Sequence, residues 1–243
     1  MSGHSKWNNI RRKKEKTDAQ KAKIFTKIGR EMAVAIREGG SDPTANYKLK
    51  ELINKAKANN VPNENIERTI KKASSDGRDH YETMVYEGYG PSGVAVIVEC
   101  LTDNKNRTAA DLRHYFDKFG GNLGTTGCVS FLFALKGVVI ADTFGKDEEE
   151  VMEDCFEAGG VDFDIQDEVT EIFCDPSELS AIREALSAKG YEILSAEVEQ
   201  IPSTYVRLQD EEHIKKMQLL LLYLEDDDDV QNVWHNLENN IEE

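Results

Sequence analysis

Hydrophobic residues in the first third of the chain repeat at helical spacing. Between Thr17 and Glu38 one helix face collects the apolar residues Ile24, Phe25, Ile28, Met32, Ala35 and Ile36. A second helix is predicted from Asp42-Pro43 to Asn59-Asn60, and a third from residue 61 to Ala73. Short amphipathic helices cannot bury their apolar faces alone, so we predict a three-helix bundle.

A period of two, typical of strands, begins after His80. Residues 81–87 and 94–101 flank a glycine-rich turn, which predicts a β-hairpin. A helix over Thr108 to Phe119 and a strand over Cys128 to Leu135 are predicted to follow. From Gly137 onward the order is strand, helix, strand, strand, helix, strand, which is the ferredoxin-like pattern.

The last stretch contains one more helix, Asp210 to Leu224, and one more strand, Val230 to Leu237. Neither has a partner of its own, so we predict that both complete the sheet that begins at Tyr81. The sequence thus predicts an α+β protein with an N-terminal three-helix bundle and two α/β domains, one inserted into the other. The predicted domains are a basic helical domain (1–78), a discontinuous α/β domain (79–136 and 206–243) and an inserted ferredoxin-like domain (137–205).

Charge is divided unevenly between these parts. Residues 1–78 carry 19 Lys and Arg against 9 Asp and Glu, about +10, whereas the remainder carries 11 against 37, about −26. The net charge of −16 argues against a nucleic-acid binder, but the division argues for one, because clustered cations supply most of the sequence-independent affinity for phosphates.

The candidate nucleic-acid contacts lie within the first 30 residues. They are Lys6, Trp7, Arg11, Arg12, Lys13, Lys14, Lys21, Lys23, Lys27 and Arg30. The tryptophan either stacks on a base or packs against the bundle. The alternative for the cations is a solvated helix face. No motif identifies a recognition helix, although the second and third helices could imitate a helix-turn-helix.

A second candidate site lies where a strand meets a helix N-terminus. Asn104, Asn106 and Arg107 are candidate anion contacts, because free backbone N–H groups at such a terminus attract anions. Simple capping by Asn106 or Thr108 is the favoured interpretation. The glycine-dense segments 88–93 and 120–127 match neither a P-loop nor a dinucleotide-binding pattern, so they are predicted to be turns.

Little in the sequence indicates catalysis, and no cofactor or metal is expected. The four cysteines are widely spaced, which favours buried thiols over a zinc or redox site. The acidic runs Glu148-Glu149-Glu150 and 226–229 could hold a divalent cation, as a metal-dependent hydrolase would require, but such runs are usually solvated. No apolar run approaches membrane-spanning length and no secretory signal is evident, so we expect a cytoplasmic protein without membrane partners.

Seven strings in the chain resemble those of the YebC/PmpR family. They are GHSKW at 3–7, KIFTK at 23–27, ANNVP at 58–62, NIER at 65–68, YEGYGP at 86–91, ECLTDNKNRT at 99–108 and GGNLG at 120–124. The resemblance implies three domains and a bacterial, cytoplasmic, non-enzymatic protein. Members are usually described as probable DNA-binding transcriptional regulators. Related members, including a mitochondrial translational activator, resemble ribosome-associated translation factors, some of them linked to relief of stalling.

Two functional hypotheses therefore stand. The first is a non-enzymatic, DNA-binding regulator of transcription, whose partners would be DNA and the transcription machinery. The second is a translation factor that binds ribosomal RNA on the ribosome and relieves stalling. Residues 1–16 show no apolar periodicity and are expected to form a flexible basic arm, which suits irregular RNA. A DNA regulator should instead prefer particular duplexes over random ones by a factor of about 10³ or more.

Overall fold

The structure is a computed structural model that describes residues 18–75, 80–166 and 168–239. Its helices are α1 (Asp18–Gly39), α2 (Tyr47–Ala58), α3 (Asn63–Ser75), α4 (Lys105–Lys118), α5 (Glu148–Glu157), α6 (Leu179–Ala188) and α7 (Glu211–Asp226). Its strands are β1 (Glu82–Tyr89), β2 (Ala95–Thr102), β3 (Asn122–Leu123), β4 (Phe133–Asp142), β5 (Asp162–Ile165), β6 (Val169–Cys174), β7 (Glu192–Pro202) and β8 (Val230–His235). The predicted α+β class is confirmed.

The first three helices pack their apolar faces together, as predicted. Their shared core consists of Ile28, Met32, Ala35, Ile36, Leu49, Leu52, Ala56 and Ile66. Burial of these side chains, at about 25 cal/mol per Å² of apolar surface, is the main force that holds the bundle together. The basic residues of α1 therefore have a defined direction, because one face of the helix is fixed against α2 and α3.

Helix α2 begins at Tyr47, four residues later than predicted. Asn46 is its N-cap, and the Oδ1 of Asn46 accepts a hydrogen bond from the Leu49 N–H at 3.0 Å. The Nδ2 of the same side chain donates to the Ala35 carbonyl at 2.7 Å, which ties the start of α2 to α1. Asp42, the predicted cap, instead accepts from the Thr44 N–H and holds a turn.

The first sheet is antiparallel, with the order β3-β1-β2-β8. The final strand pairs with β2, with Val233 opposite Val98, so the prediction that the last strand completes the sheet begun near Tyr81 is confirmed. Strand β2 lies in the centre and is almost wholly buried. Helix α7, whose Met217, Leu220 and Leu224 are fully buried, leads directly into β8.

The second sheet has the order β5-β6-β4-β7, with all neighbouring strands antiparallel. Together with α5 and α6, this is the ferredoxin-like arrangement that the sequence predicted. Its core lies between the sheet and the two helices and includes Val139, Ile172, Ile182 and Leu186.

The predicted strand from Cys128 to Leu135 is wrong over residues 128–132 and correct over residues 133–135. Residues 130–132 form a 3₁₀ turn, and β4 begins at Phe133 and runs without interruption past Gly137. The cause is the buried side chain of Glu87, which accepts hydrogen bonds from the N–H groups of Gly127 at 2.7 Å and Val129 at 2.8 Å. Those N–H groups cannot also join a strand ladder, so the segment turns instead.

The chain forms two compact units. One contains Lys16–Val129 and Leu208–His235, and therefore both the bundle and the first sheet, whereas Ser130–Arg207 and the second sheet belong to the other. The division into three domains stays a prediction. None of the helices within the described ranges combines the length and the apolar character that crossing a membrane requires.

Candidate nucleic-acid interface

Most of the predicted nucleic-acid contacts lie outside the described residues. These are Lys6, Trp7, Arg11, Arg12, Lys13 and Lys14. Lys21 belongs to α1, but its side chain is also outside the described set. The role of these seven residues stays a prediction. Among the candidate contacts, the structure describes the side chains of Lys23, Lys27 and Arg30.

All three of these α1 cations contact one acidic segment, Glu225–Asp229, at the C-terminal end of α7. The Lys23 ammonium pairs with the Asp226 carboxylate and lies 3.2 Å from the carbonyl oxygen of the same residue. The Lys27 ammonium donates to the carbonyl of Glu225 at 2.8 Å. The predicted interpretation of residues 226–229 as a solvated turn is therefore incomplete, because much of the segment is held against α1.

Arg30 makes the innermost of these contacts. Its Nη1 lies 2.5 Å from Asp229 Oδ1, 2.7 Å from the Asp228 carbonyl and 3.2 Å from the Leu101 carbonyl. Its guanidinium also lies over the ring of Tyr81, at 5.4 Å from the centroid. The charge pattern assigned Arg30 to nucleic acid, but its donors are engaged by groups of the protein itself.

Helix geometry explains why the three cations act together. Positions 23, 27 and 30 are spaced by four and three residues and lie along one stripe of α1. The stripe faces the C-terminal end of α7, where unpaired carbonyls and the negative end of the helix dipole attract cations. The consecutive carboxylates 226–229 add formal negative charge at the same place.

Asp229 is the centre of the network and is buried. Its Oδ2 accepts hydrogen bonds from the guanidinium of Arg107 at 2.8 Å and from the hydroxyls of Thr108 at 2.7 Å and Thr102 at 3.2 Å. Burial by itself raises the pKa of a carboxyl, but hydrogen bonds from Arg107, Thr108 and Arg30 outweigh it and lower the pKa of Asp229 to about 2. Asp229 is therefore an ionised acceptor that joins α1, β2 and α4.

The lowered pKa predicts a pH dependence of stability. The ordinary pKa of an aspartate is 3.8 and the folded value of Asp229 is about 2, so the folded state favours its ionised form. That preference contributes roughly 2 kcal/mol above about pH 4 and is lost as the pH falls toward about 2. In acid titrations followed by circular dichroism, we expect Asp229→Asn to lose less stability than the wild type across this window; parallel curves would contradict the assignment.

The second candidate site is a capped helix terminus. Asn104 is the N-cap of α4, and its side chain accepts from the Arg107 N–H at 3.1 Å, so the cap is neither Asn106 nor Thr108. The Arg107 guanidinium pairs with Asp229 and, at 2.8 Å, with Asp103, and these hydrogen bonds raise its pKa. Asn106 is exposed. The geometry favours capping, and anion binding by these three residues stays a prediction.

Other cations of the bundle point to solvent. Lys50, Lys57 and Lys71 are exposed and, among the described residues, pair with no carboxylate. By contrast, Lys48 pairs with Glu38 at 3.2 Å. Sequence reasoning noted that α2 and α3 could imitate a helix-turn-helix, but it selected none of their lysines as contacts because no motif identifies a recognition helix.

Candidate chemistry elsewhere is sparse. Cys100, Cys155 and Cys174 are buried free thiols, and burial raises the pKa of each. Within the described ranges, no cluster of three or more His, Cys, Asp or Glu side chains is arranged to hold a metal ion. The glutamates 148–150 form the first turn of α5, where they complement the helix dipole behind the Asp147 cap.

These features define a class of protein: an α+β chain with a basic helical part and a large acidic remainder. Similarity to known proteins specifies the family. Residues 5–76 match the TACO1/YebC N-terminal domain, and residues 81–237 match the TACO1/YebC second and third domain. The chain belongs to the TACO1/YebC family, so the resemblance noted in the sequence is confirmed.

Similar proteins cover nearly the whole chain. A probable transcriptional regulatory protein of Acetivibrio thermocellus is 57% identical over 97% of this chain and 98% of its own length. A protein of Finegoldia magna with the same description is 54% identical over 98% of this chain and 100% of its own length. The crystal structure of a conserved hypothetical protein of Aquifex aeolicus superposes with a TM-score of 0.81 at 44% identity, over 91% of this chain and 92% of that one.

Proposed function

We propose that this protein is a non-enzymatic, cytoplasmic regulator of transcription that binds DNA through its basic N-terminal part. The observation that carries the proposal is the charge division, about +10 in residues 1–78 against about −26 in the remainder. Such a cluster neutralises phosphates, and the acidic remainder is repelled by them. Binding is therefore oriented, with the basic part on the nucleic acid and the acidic part away from it.

The family supports the regulatory part of the proposal. Relatives that align over almost their full length are named probable transcriptional regulatory proteins. Lys23, Lys27 and Arg30 already contact Glu225–Asp229, which supports initial phosphate contacts by the cations that precede them in the chain. We therefore propose that Arg11, Arg12, Lys13, Lys14 and Lys21 make the first contacts.

The second candidate function is a translation factor that binds ribosomal RNA. One observation favours it: the exposed face of α3 carries Glu64 and Glu67 within its first five residues. A helix-turn-helix protein places the N-terminal residues of its recognition helix against the bases, and two glutamates there would meet flanking phosphates. Helix α3 is thus poorly suited to enter a major groove, which leaves shape-based recognition of folded RNA as the alternative.

In-cell crosslinking separates the two candidates. The protein would be crosslinked in living cells, purified under denaturing conditions, and the attached nucleic acid sequenced. Enriched promoter DNA supports the transcriptional proposal. Ribosomal RNA concentrated at one ribosomal location supports the translation factor instead. Recovery of neither nucleic acid from well-expressed protein would refute both, and the basic part would then be a solvated or protein-binding surface.

A further inference from the structure

We infer that the acidic segment Glu225–Asp229 is an internal competitor for nucleic acid, whose contacts with Lys23 and Lys27 persist until phosphates displace them. We call the contacts of Lys23, Lys27 and Arg30 with this segment the α1–α7 latch. The inference rests on the proposed function, since it concerns how the same basic part is made accessible. It goes further by assigning a regulatory role to a segment of the acidic remainder.

The chemistry of the acidic segment resembles that of a phosphate backbone. It presents anionic carboxylate oxygens together with main-chain carbonyl oxygens, and the α1 cations meet both kinds. Lys23 contacts a carboxylate and a carbonyl of Asp226, and Lys27 contacts the carbonyl of Glu225. A nucleic-acid strand that approached this stripe of α1 would need the same N–H donors. Both partners cannot use those donors at once, so binding of one displaces the other.

The latch is weak at its outer end and strong at its inner end. The side chains of Lys23 and Asp226 are 38% and 64% exposed, whereas those of Arg30 and Asp229 are 17% and 6% exposed. An exposed ion pair contributes little net stability and is screened by salt. The Arg30 pair is shielded, and Asp229 is held in addition by Arg107 and Thr108. Phosphates therefore displace the acidic segment from Lys23 and Lys27, while Arg30 stays in place.

This arrangement favours polyanions over small anions. The acidic segment offers several linked acceptors to two neighbouring lysines, so a single phosphate or sulfate ion competes poorly with it. A nucleic-acid strand carries its phosphates in series and can replace the acceptors together, an advantage that arises from effective concentration. The latch thus raises the concentration of nucleic acid that is needed for binding, while the cations stay at the surface.

A matched pair of variants tests the latch. Asp226→Asn removes the carboxylate that Lys23 contacts, whereas Asp228→Asn removes the same charge from an exposed side chain whose contact with α1 is made by its main-chain carbonyl. Affinity would be measured by fluorescence anisotropy over a series of salt concentrations. The probes are a labelled DNA duplex of mixed sequence and a labelled RNA hairpin.

We expect Asp226→Asn to bind about two- to fivefold more tightly than Asp228→Asn at low salt, because one exposed ion pair no longer competes. Its plot of log affinity against log salt should be steeper by about 0.7 to 0.9, which corresponds to one additional neutralised phosphate. The increase in affinity caused by Asp226→Asn must also depend on Lys23. In a Lys23→Gln background, Asp226→Asn and Asp228→Asn should therefore bind equally.

Each outcome identifies what has failed. Equal affinities and equal salt slopes for the two aspartate variants, with clear wild-type binding, would overturn the latch and leave the proposed function intact. The latch would also be overturned if Asp226→Asn still raised the affinity in the Lys23→Gln background, since the increase would then be a general effect of charge. No binding of either probe by the wild type or any variant would overturn the proposed function and the latch together.

Discussion

Replacement of Asp229 by alanine is expected to lower the free energy of unfolding by about 3 kcal/mol. The carboxylate is the shared acceptor of Arg30 and Arg107, and it also accepts from the hydroxyls of Thr102 and Thr108. Its removal leaves a shielded guanidinium and two hydroxyls without their ionised partner. The loss of one member of a buried charge network is much more costly than the loss of an exposed ion pair.

Chemical denaturation of Asp229→Ala beside Asp228→Ala provides the measurement. The two positions are adjacent and identical in residue type, but Asp228 is exposed, so its replacement should change stability by no more than about 0.5 kcal/mol. A third variant, Asp229→Asn, keeps the shape and some hydrogen bonding of the side chain but removes its charge. Its free energy of unfolding should lie between those of Asp229→Ala and Asp228→Ala. If all three variants unfold at the same denaturant concentration, the network does not stabilise the fold as argued.

The Asp229 carboxylate joins three elements of the fold. Asp229 receives donors from α1, from β2 and from α4, through Arg30, Thr102 and Thr108. Each of these elements is also held by its own apolar packing, but the carboxylate is where they meet. The α1 basic stripe is therefore joined to β2 and α4 by a polar network that involves no apolar core residue.

Periodicity predicted the elements because it is a local property. The faces of α1, α2 and α3 could be derived from spacing alone, and the core side chains lie where that spacing placed them. The ends of the helices were harder to predict, because they depend on single polar side chains. Asn46 and Asn104, rather than the predicted caps, accept from the N–H group of the third residue of α2 and of α4, and the helices begin accordingly.

Sequence reasoning missed contacts between side chains and segments that are distant along the chain. Glu87 takes the N–H groups of residues 127 and 129, forty residues away, and converts a predicted strand into a turn. The charge count identified Lys23 and Lys27 as candidate phosphate contacts, which stays a prediction; the structure adds that both contact a segment about 200 residues later in the chain. A single sequence contains no signal that pairs such segments, so the partners of the basic stripe required the structure.

Neutralising the arm is expected to have the largest effect on nucleic-acid binding. Replacement of Arg11, Arg12, Lys13 and Lys14 by glutamine removes four cations that precede the latch. Removal of each cation that neutralises a phosphate should reduce the slope of log affinity against log salt by about 0.7 to 0.9, about 3 in all. At physiological ionic strength this corresponds to a loss of affinity of roughly a hundredfold, which anisotropy with the same DNA and RNA probes would measure.

The matched control removes four positive charges from the acidic remainder. It carries glutamine in place of four exposed cations, Arg113, Lys118, Lys146 and Lys215. Both variants have the same net charge, so a general effect of charge would weaken binding equally in both. A contact surface confined to the basic part predicts a loss in the arm variant alone, together with the flattened salt dependence. Equal losses would show that the position of the cations is irrelevant, and the oriented binding proposed from the charge division would be wrong.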